Sequence, residues 1–133
     1  DDGEGWSAEE AVQRFLDQDF DCSKLTISSD GGGCLPHFDA QGALVKMGFA
    51  SCQAMADCFR NLLDSGLPAE TVLPFMTSNV ARLLKLPGKG RIARGGDADL
   101  LVVDRNNRID GVMARGAWHV KDGRQQLSGL FEE

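Results

Sequence analysis

The chain is predicted to be an α/β protein in which a helical portion leads into a small antiparallel sheet. Two observations carry this reading. Apolar residues recur at three- and four-residue spacing in several stretches up to Leu86, and from Gly88 onward the spacing changes to two and to short apolar runs. Inside the helical portion, the run Lys24-Leu25-Thr26-Ile27-Ser28 is rich in β-branched residues and is broken by Asp30 and three glycines. That is a strand with a loop at its carboxyl end, the place where parallel α/β architectures put their ligand crevice.

Ser7-Ala8-Glu9-Glu10 has the form of a capping box, so a helix is expected to start there and to bury Ala11, Val12, Phe15 and Leu16 until the acidic stretch Asp17 to Asp21. The strand 24–28 follows. Residues Cys34 to Ser51 contain Pro36, Gly42 and Gly48 without clear periodicity and read as one long loop. A second helix carries Met55, Cys58, Phe59, Leu62 and Leu63 on its buried stripe and stops at Gly66 and Pro68. From Pro68 to Leu86 a helical pair is expected, with Thr77-Ser78-Asn79 as break and cap, ended by Pro87-Gly88. Strands are expected at Leu100–Val103, Ile109–Ala114, Ala117–Lys121 and Leu127–Phe131, with Asn106-Asn107, Arg115-Gly116 and Asp122-Gly123 at the turns. There is no internal repeat.

At 133 residues, 42% hydrophobic and 26% charged, the composition is that of an ordinary globular domain. The net charge of -6, with the basic residues scattered, argues against nucleic-acid and anionic-membrane partners. No apolar run is long enough to span a bilayer, and the first residues lack a basic and then apolar leader, so a cytoplasmic location is expected. Cys22, Cys34, Cys52 and Cys58 form no CxxC pair and have no histidine at zinc-ligand spacing. If Cys52 and Cys58 share a helix, they stand about 120° apart on it. Free, mostly buried thiols are expected.

Asp30 is the one carboxylate at the carboxyl end of a strand and ahead of a glycine loop. There it can ligate a cation, act as a general base, or accept backbone N–H bonds from its own turn. Local sequence favours the turn role, because Asp-Gly is common in turns.

The run Ser28-Ser29-Asp30-Gly31-Gly32-Gly33, the loop through Phe38-Asp39 and Gly42, and Thr77-Ser78-Asn79-Val80-Ala81 to Leu86 resemble the eighth strand, its loop and the following helices of isoaspartyl dipeptidases. Gly90-Arg91-Ile92, Gly95 and Ala98-Asp99-Leu100 resemble the return into the small β-domain seen across the amidohydrolase superfamily. The resemblance runs from about Ser7 to Glu132. It implies that residues 1–87 are the C-terminal portion of a (β/α)8 metal-dependent hydrolase barrel, holding its seventh helix and its eighth strand and helix. It further implies that residues 88–133 are the C-terminal strands of a small β-sandwich.

The resemblance also implies metal-dependent hydrolysis of β-aspartyl dipeptides at a two-zinc site. In that family a His-x-His, a bridging carboxylated lysine and two further histidines hold the metals, and none of them matches a position here. Asp30 matches the eighth-strand aspartate, which ligates one metal and takes the proton of the bridging water. Gly33 and Cys34 are the substrate-binding residues expected from the resemblance. Cys34 stands where relatives carry a serine that helps bind the dipeptide's carboxylate, and a thiol is the weaker donor. The backbone N–H groups of Gly32, Gly33 and Cys34 offer an anion-receiving nest instead. The partners so implied are the dipeptide and the N-terminal barrel segment, and self-association into a homo-oligomer is expected. The chain alone is expected to be inactive.

Other features read as structural. His37 reads as a surface loop residue, and His119 faces away from Trp118 and Val120 on its strand. The triple glycine lacks the Lys and Ser or Thr of a phosphate loop. The acidic start, Asp1, Asp2 and Glu4, lacks the ligand register of a calcium loop. Two rival functions remain: another amidohydrolase, dihydroorotase-like or deaminase-like, and a non-catalytic module in which Asp30 only caps a turn.

Overall fold

A computed structural model describes residues 5–129, so Asp1, Asp2 and Glu4 lie outside the described residues. Helix α1, Ala8–Asp17, begins with the expected capping box: Glu10 N–H donates to Ser7 Oγ at 3.1 Å and Ser7 N–H to Glu10 Oε2 at 2.9 Å. Two orphan N–H groups of the first turn are thereby satisfied. A 3-10 turn, Cys22–Lys24, comes next.

The strand expected at 24–28 does not form. Residues 25–30 run without a ladder, because the described residues include no neighbouring strand for them to pair with. The segment is held from one side only, by the Ile27 N–H bond to Phe75 O at 3.0 Å and by packing of Leu25 and Ile27 on the core.

The loop expected over Cys34 to Ser51 is instead a β-hairpin, β1 (Cys34–Phe38) paired antiparallel with β2 (Leu44–Phe49). Its ends are built by two devices. Gly32, with φ +81°, donates to Ala50 O at 2.9 Å while Ala50 N–H donates to Gly33 O at 2.9 Å, so two residues face one in a glycine-led bulge. At the tip, Asp39 Oδ1 accepts from Gln41 N–H at 2.9 Å and Ala43 N–H at 2.8 Å. Pro36 fits because its register opposite Met47 falls in a non-hydrogen-bonded pair, counting outward from the Ala50 bond.

Helix α2, Ala54–Asp64, ends at Gly66, whose φ of +96° allows the closing bond from Leu67 N–H to Leu62 O at 3.3 Å. Cys52 precedes this helix and so does not share it with Cys58. Helices α3 (Ala69–Met76) and α4 (Ser78–Leu83) are separated at Thr77, φ -129° and ψ -89°. No side-chain cap forms there, but Thr77 Oγ1 donates to Leu73 O at 2.6 Å, beside Pro74, which has no N–H to give.

The core is small: Val12, Cys58, Leu62, Val72 and Phe75 are buried, with Leu16, Phe59, Leu63, Leu67 and Met76 packed round them. Burying a side chain the size of Phe75 or Leu62 contributes about 2–3 kcal/mol. Three of the four thiols, those of Cys22, Cys34 and Cys52, are exposed, and only Cys58 is buried; all four are free. The three sit in turns and on the hairpin, off the helical core.

The meander β3 (Leu100–Val103), β4 (Ile109–Ala114), β5 (Ala117–Lys121) and β6 (Arg124–Gln125) forms the second part of the chain. Arg115-Gly116 and Asp122-Gly123 turn with both residues at positive φ, as two-residue hairpins require. Among the described residues the last strand is Arg124–Gln125, tied to the Asp122-Gly123 turn; of the strand expected at Leu127–Phe131, residues 127–129 form none and 130–131 lie outside the described residues. Gly90, φ +78°, joins the two parts at close quarters, since a Cβ there would lie 2.7 Å from Ala81 Cβ and 2.8 Å from Thr77 O. Among the described residues no helix is long and apolar enough to cross a membrane.

Candidate active site

Asp30 stands where the core releases the chain. Leu25 and Ile27 anchor the approach, and Asn79, the one buried polar residue described, donates through Nδ2 to Cys22 O and Leu25 O at 2.8 Å each. Arg82 adds a bond to Ser23 O and another to Asn79 Oδ1 at 3.2 Å. The first turns of α4 therefore fix the path that leads to Asp30.

Asp30 has φ +49°, a left-handed conformation that aspartate tolerates better than most residues. Its carbonyl accepts from Gly33 N–H at 2.7 Å, and Gly31 N–H donates to Ser29 Oγ at 3.0 Å. The carboxylate lies over Gly33: a Cβ on that residue would stand 2.4 Å from Asp30 Oδ2. Gly33 is thus required by the space Asp30 occupies. Gly31 is held as closely on its other side, with Cys52 Sγ 2.6 Å from the position of a Cβ.

The anion nest expected from Gly32, Gly33 and Cys34 is largely closed. Gly32 N–H goes to Ala50 O and Gly33 N–H to Asp30 O, because the bulge and the turn consume them. Cys34 pairs with Phe49 one step beyond the Ala50 bond, so its N–H points away from β2. The Cys34 thiol lies on the opposite hairpin face from the Asp30 carboxylate, since alternation separates Cys34 from Gly33. That face is apolar and exposed, with Phe38, Val45, Met47 and Phe49.

His37 lies in β1, not in a loop, and His119 is exposed on β5 between the half-buried Trp118 and Val120. Among the described residues no three His, Cys, Asp or Glu side chains are grouped to hold a metal ion. Asp30 offers one exposed, hard oxygen ligand, which fits a zinc or similar cation only with donors from elsewhere.

The model of the amidohydrolase family matches residues 9–119, and the chain belongs to that family. Among solved structures it is similar to the β-aspartyl dipeptidase of Fervidobacterium islandicum AW-1 in complex with β-Asp-Leu dipeptide, with 36% identity and a TM-score of 0.84 over 94% of this chain and 32% of that one. A second structure of β-aspartyl dipeptidase from the same organism matches at 31% identity and a TM-score of 0.76, over 97% of this chain and 31% of that one. An allantoinase of Rubrobacter xylanophilus is 32% identical over 71% of this chain and 22% of its own length. The N-acetylglucosamine-6-phosphate deacetylase of Thermotoga maritima, at 19% identity and a TM-score of 0.65 over 90% of this chain and 37% of that one, shares the fold. The chain thus spans about a third or less of the length of these dipeptidases and of the allantoinase.

Two features of the site escaped the sequence reading. The Asn79 and Arg82 clamp had a signal, an asparagine and an arginine one turn apart at a helix start, but its targets lie more than fifty residues away in the chain. The pairing of His37 with Lys46 depended on recognising the hairpin.

Proposed function

We propose that this chain carries the proton-handling aspartate of a metal-dependent hydrolase acting on β-aspartyl dipeptides. The observation that supports this best is Asp30 itself: a carboxylate in a left-handed turn, over a glycine that leaves it room, in a chain whose structural relatives include a β-aspartyl dipeptidase. A turn cap alone needs no such clearance.

On this reading residues 1–87 form the closing part of a (β/α)8 barrel and residues 88–133 part of a small β-domain. Metal ions such as zinc, for which Asp30 would be one ligand and residues outside this chain the others, would supply a water of lowered pKa and a polarised scissile carbonyl. Asp30 would ligate one metal, take the proton of the attacking water and return it to the leaving amine. Gly33 keeps the carboxylate at that position. The Cys34 N–H, the remaining free donor of the loop, receives the carboxylate of the aspartyl residue. The allantoinase match supports a second reading, cyclic-amide hydrolysis by the same aspartate.

Assembly of this chain with an N-terminal barrel segment, followed by assays on β-Asp-Leu and on allantoin with and without zinc, tests the proposal. Zinc-dependent release of leucine by the assembly, none by the isolated chain, and its loss in Asp30→Asn are expected. Turnover by the isolated chain, or allantoin as the better substrate, would overturn it.

A further inference from the structure

The loop that joins the two parts of the chain packs on α4 and leaves a cleft of about 510 Å³ lined by basic side chains and a hydroxyl. Ser78 and Arg82, four residues apart on α4, and Lys85 just beyond its end line it from the helix, and Lys89 and Arg91 line it from the loop. Both sides are held in place. Lys85, φ +55°, is set by the closing bonds from Lys85 N–H to Arg82 O at 3.2 Å and from Leu86 N–H to Ala81 O at 2.8 Å. Gly90 brings the loop so close that a Cβ on it would stand 3.0 Å from Ser78 Cα. Arg82 gives its bonds to Ser23 O and Asn79 Oδ1 through Nη2, which leaves Nε and Nη1 to donate elsewhere. Lys89 is matched by Asp97 and Asp99, whereas Lys85 and Arg91 have no ion pair or side-chain hydrogen bond among the described residues. No Asp or Glu lines the cleft, although the chain carries a net charge of -6. Arg91 also borders a smaller cavity, about 110 Å³, which Arg94 lines.

We propose that this cleft is a binding site for a phosphomonoester, separate from the hydrolytic site and independent of the dipeptidase reading. Arg82, Lys85 and Arg91 face it without a carboxylate of the chain bonded to them. Asp21, whose charge acts on Arg82, already accepts from Ser23 N–H and pairs with Lys24. Two guanidinium groups, an ammonium and a hydroxyl offer more donors than the two oxygens of a carboxylate can use. A phosphate presents three oxygens and close to two charges, and the guanidinium fork matches it. Leu86 and Pro87 supply apolar lining for the organic group. The volume lies within the roughly 300–1,000 Å³ of small-molecule sites. None of the lining residues belongs to the Asp30 turn or to the hairpin. The ligand binds instead on the guanidinium that holds Ser23, at the start of the segment that ends in Asp30.

Calorimetric titration of the protein assembled with its N-terminal barrel segment, using phenyl phosphate, inorganic phosphate and benzoate as probes, tests this. Phenyl phosphate is expected to bind saturably, more tightly than inorganic phosphate and about tenfold or more tighter than benzoate. Joint replacement Lys85→Ala and Arg91→Ala should weaken phenyl phosphate by about tenfold or more. Both side chains are exposed and outside the core, so the unfolding midpoint of the double variant should match that of the wild type. Lys85→Arg, which keeps the charge, should bind as the wild type does, and Asp30→Asn should leave the affinity unchanged. Sodium chloride at about 0.5 M should weaken binding by screening. No saturable binding, binding that the double variant leaves unchanged, or benzoate bound as tightly as phenyl phosphate overturns the inference. Every readout is of binding, so failure of the dipeptidase reading in the hydrolysis assays is seen separately.

Discussion

Asn79 Nδ2 lies 2.8 Å from the carbonyl oxygen of Leu25, and this bond ties the first turn of α4 to the segment that carries Asp30. The same nitrogen serves Cys22 O at 2.8 Å, and the side chain is only 4% exposed, so water cannot replace it. Asn79→Leu leaves two carbonyls without their donor. A loss of about 2–3 kcal/mol in unfolding free energy is expected, read as a lowered urea midpoint with unchanged slope. Asn79→Asp should be at least as harmful, because it sets an acceptor against two acceptors. A change below about 0.5 kcal/mol in both would remove the clamp from the account.

Gly33 and Gly90 are expected to fail differently when given a methyl group. At Gly33 the new carbon meets the Asp30 carboxylate, which can swing away, and the Asp30 carbonyl oxygen at 2.8 Å, which must shift with its turn, so activity of the assembled enzyme should fall by more than about tenfold with a stability loss of about 1–2 kcal/mol. At Gly90 it meets the Thr77 carbonyl and Ala81 on a backbone with φ +78°. The left-handed backbone adds its own strain to contacts with a helix that cannot move aside, and a loss of about 2–4 kcal/mol follows. Denaturant melts beside kinetics of the two variants separate these outcomes.

How far the sequence could be read is shown by two loops of one design. Asp104 Oδ1 accepts from Asn106 N–H at 2.8 Å and Arg108 N–H at 2.9 Å, as Asp39 Oδ1 does from Gln41 and Ala43. The first loop lies between runs with evident apolar character and was legible as a turn. The second lies between Cys34–Phe38 and Leu44–Phe49, where Pro36, Lys46 and Gly48 blur the alternation, and the hairpin was missed. The helices were legible because each buries a stripe on a shared core. Residues 24–28 were overread as a strand, since β-branched residues state a preference for pairing and the partners must come from elsewhere. As a site residue Asp30 was singled out by resemblance alone, while the clearance that Gly33 gives it and the loss of the nest to the bulge are matters of three-dimensional register.

The Lys89 latch makes stability depend on pH and salt. Lys89 Nζ pairs with Asp97 Oδ2 at 2.9 Å and also bonds Asp99, whose other oxygen accepts from Arg115 N–H at 2.7 Å. The bond from Lys89, then that from Arg115, holds the Asp99 carboxyl below its ordinary 3.8. A depressed carboxylate contributes stability that is present above its unfolded pKa and lost as pH falls through the folded one. Asp104, lowered by its bonds from Arg108 and Asn106, acts in the same direction. Hydrogen bonds to Asp99 and Asp97 raise Lys89 above 10.5, so its contribution is complete below that value and lost as pH rises through the folded pKa. Urea midpoints should be flat near neutrality and decline below about pH 4 and above about pH 10.5. Asp99→Asn should flatten part of both limbs. Since these groups are exposed, 1 M salt should weaken the effect.

The thiols offer a test of the core itself. Cys58 is 6% exposed within the Val12, Leu62, Val72 and Phe75 cluster, and burial raises its pKa above 9.0, with Glu9 adding to the shift. The thiolate is the reactive form, so Cys58 is disfavoured both by access and by ionisation. Cys22, Cys34 and Cys52 are exposed and free. A disulfide-exchange reagent at pH 8 should therefore consume three thiols quickly and the fourth only at the rate at which the helical core opens. Mass spectrometry of the digested product should place the slow site at Cys58. Phe75→Ala, which costs about 3–5 kcal/mol, should bring the fourth thiol close to the rate of the others. Equal rates for all four in the wild type would mean that α1, α2 and α3 do not close over Cys58.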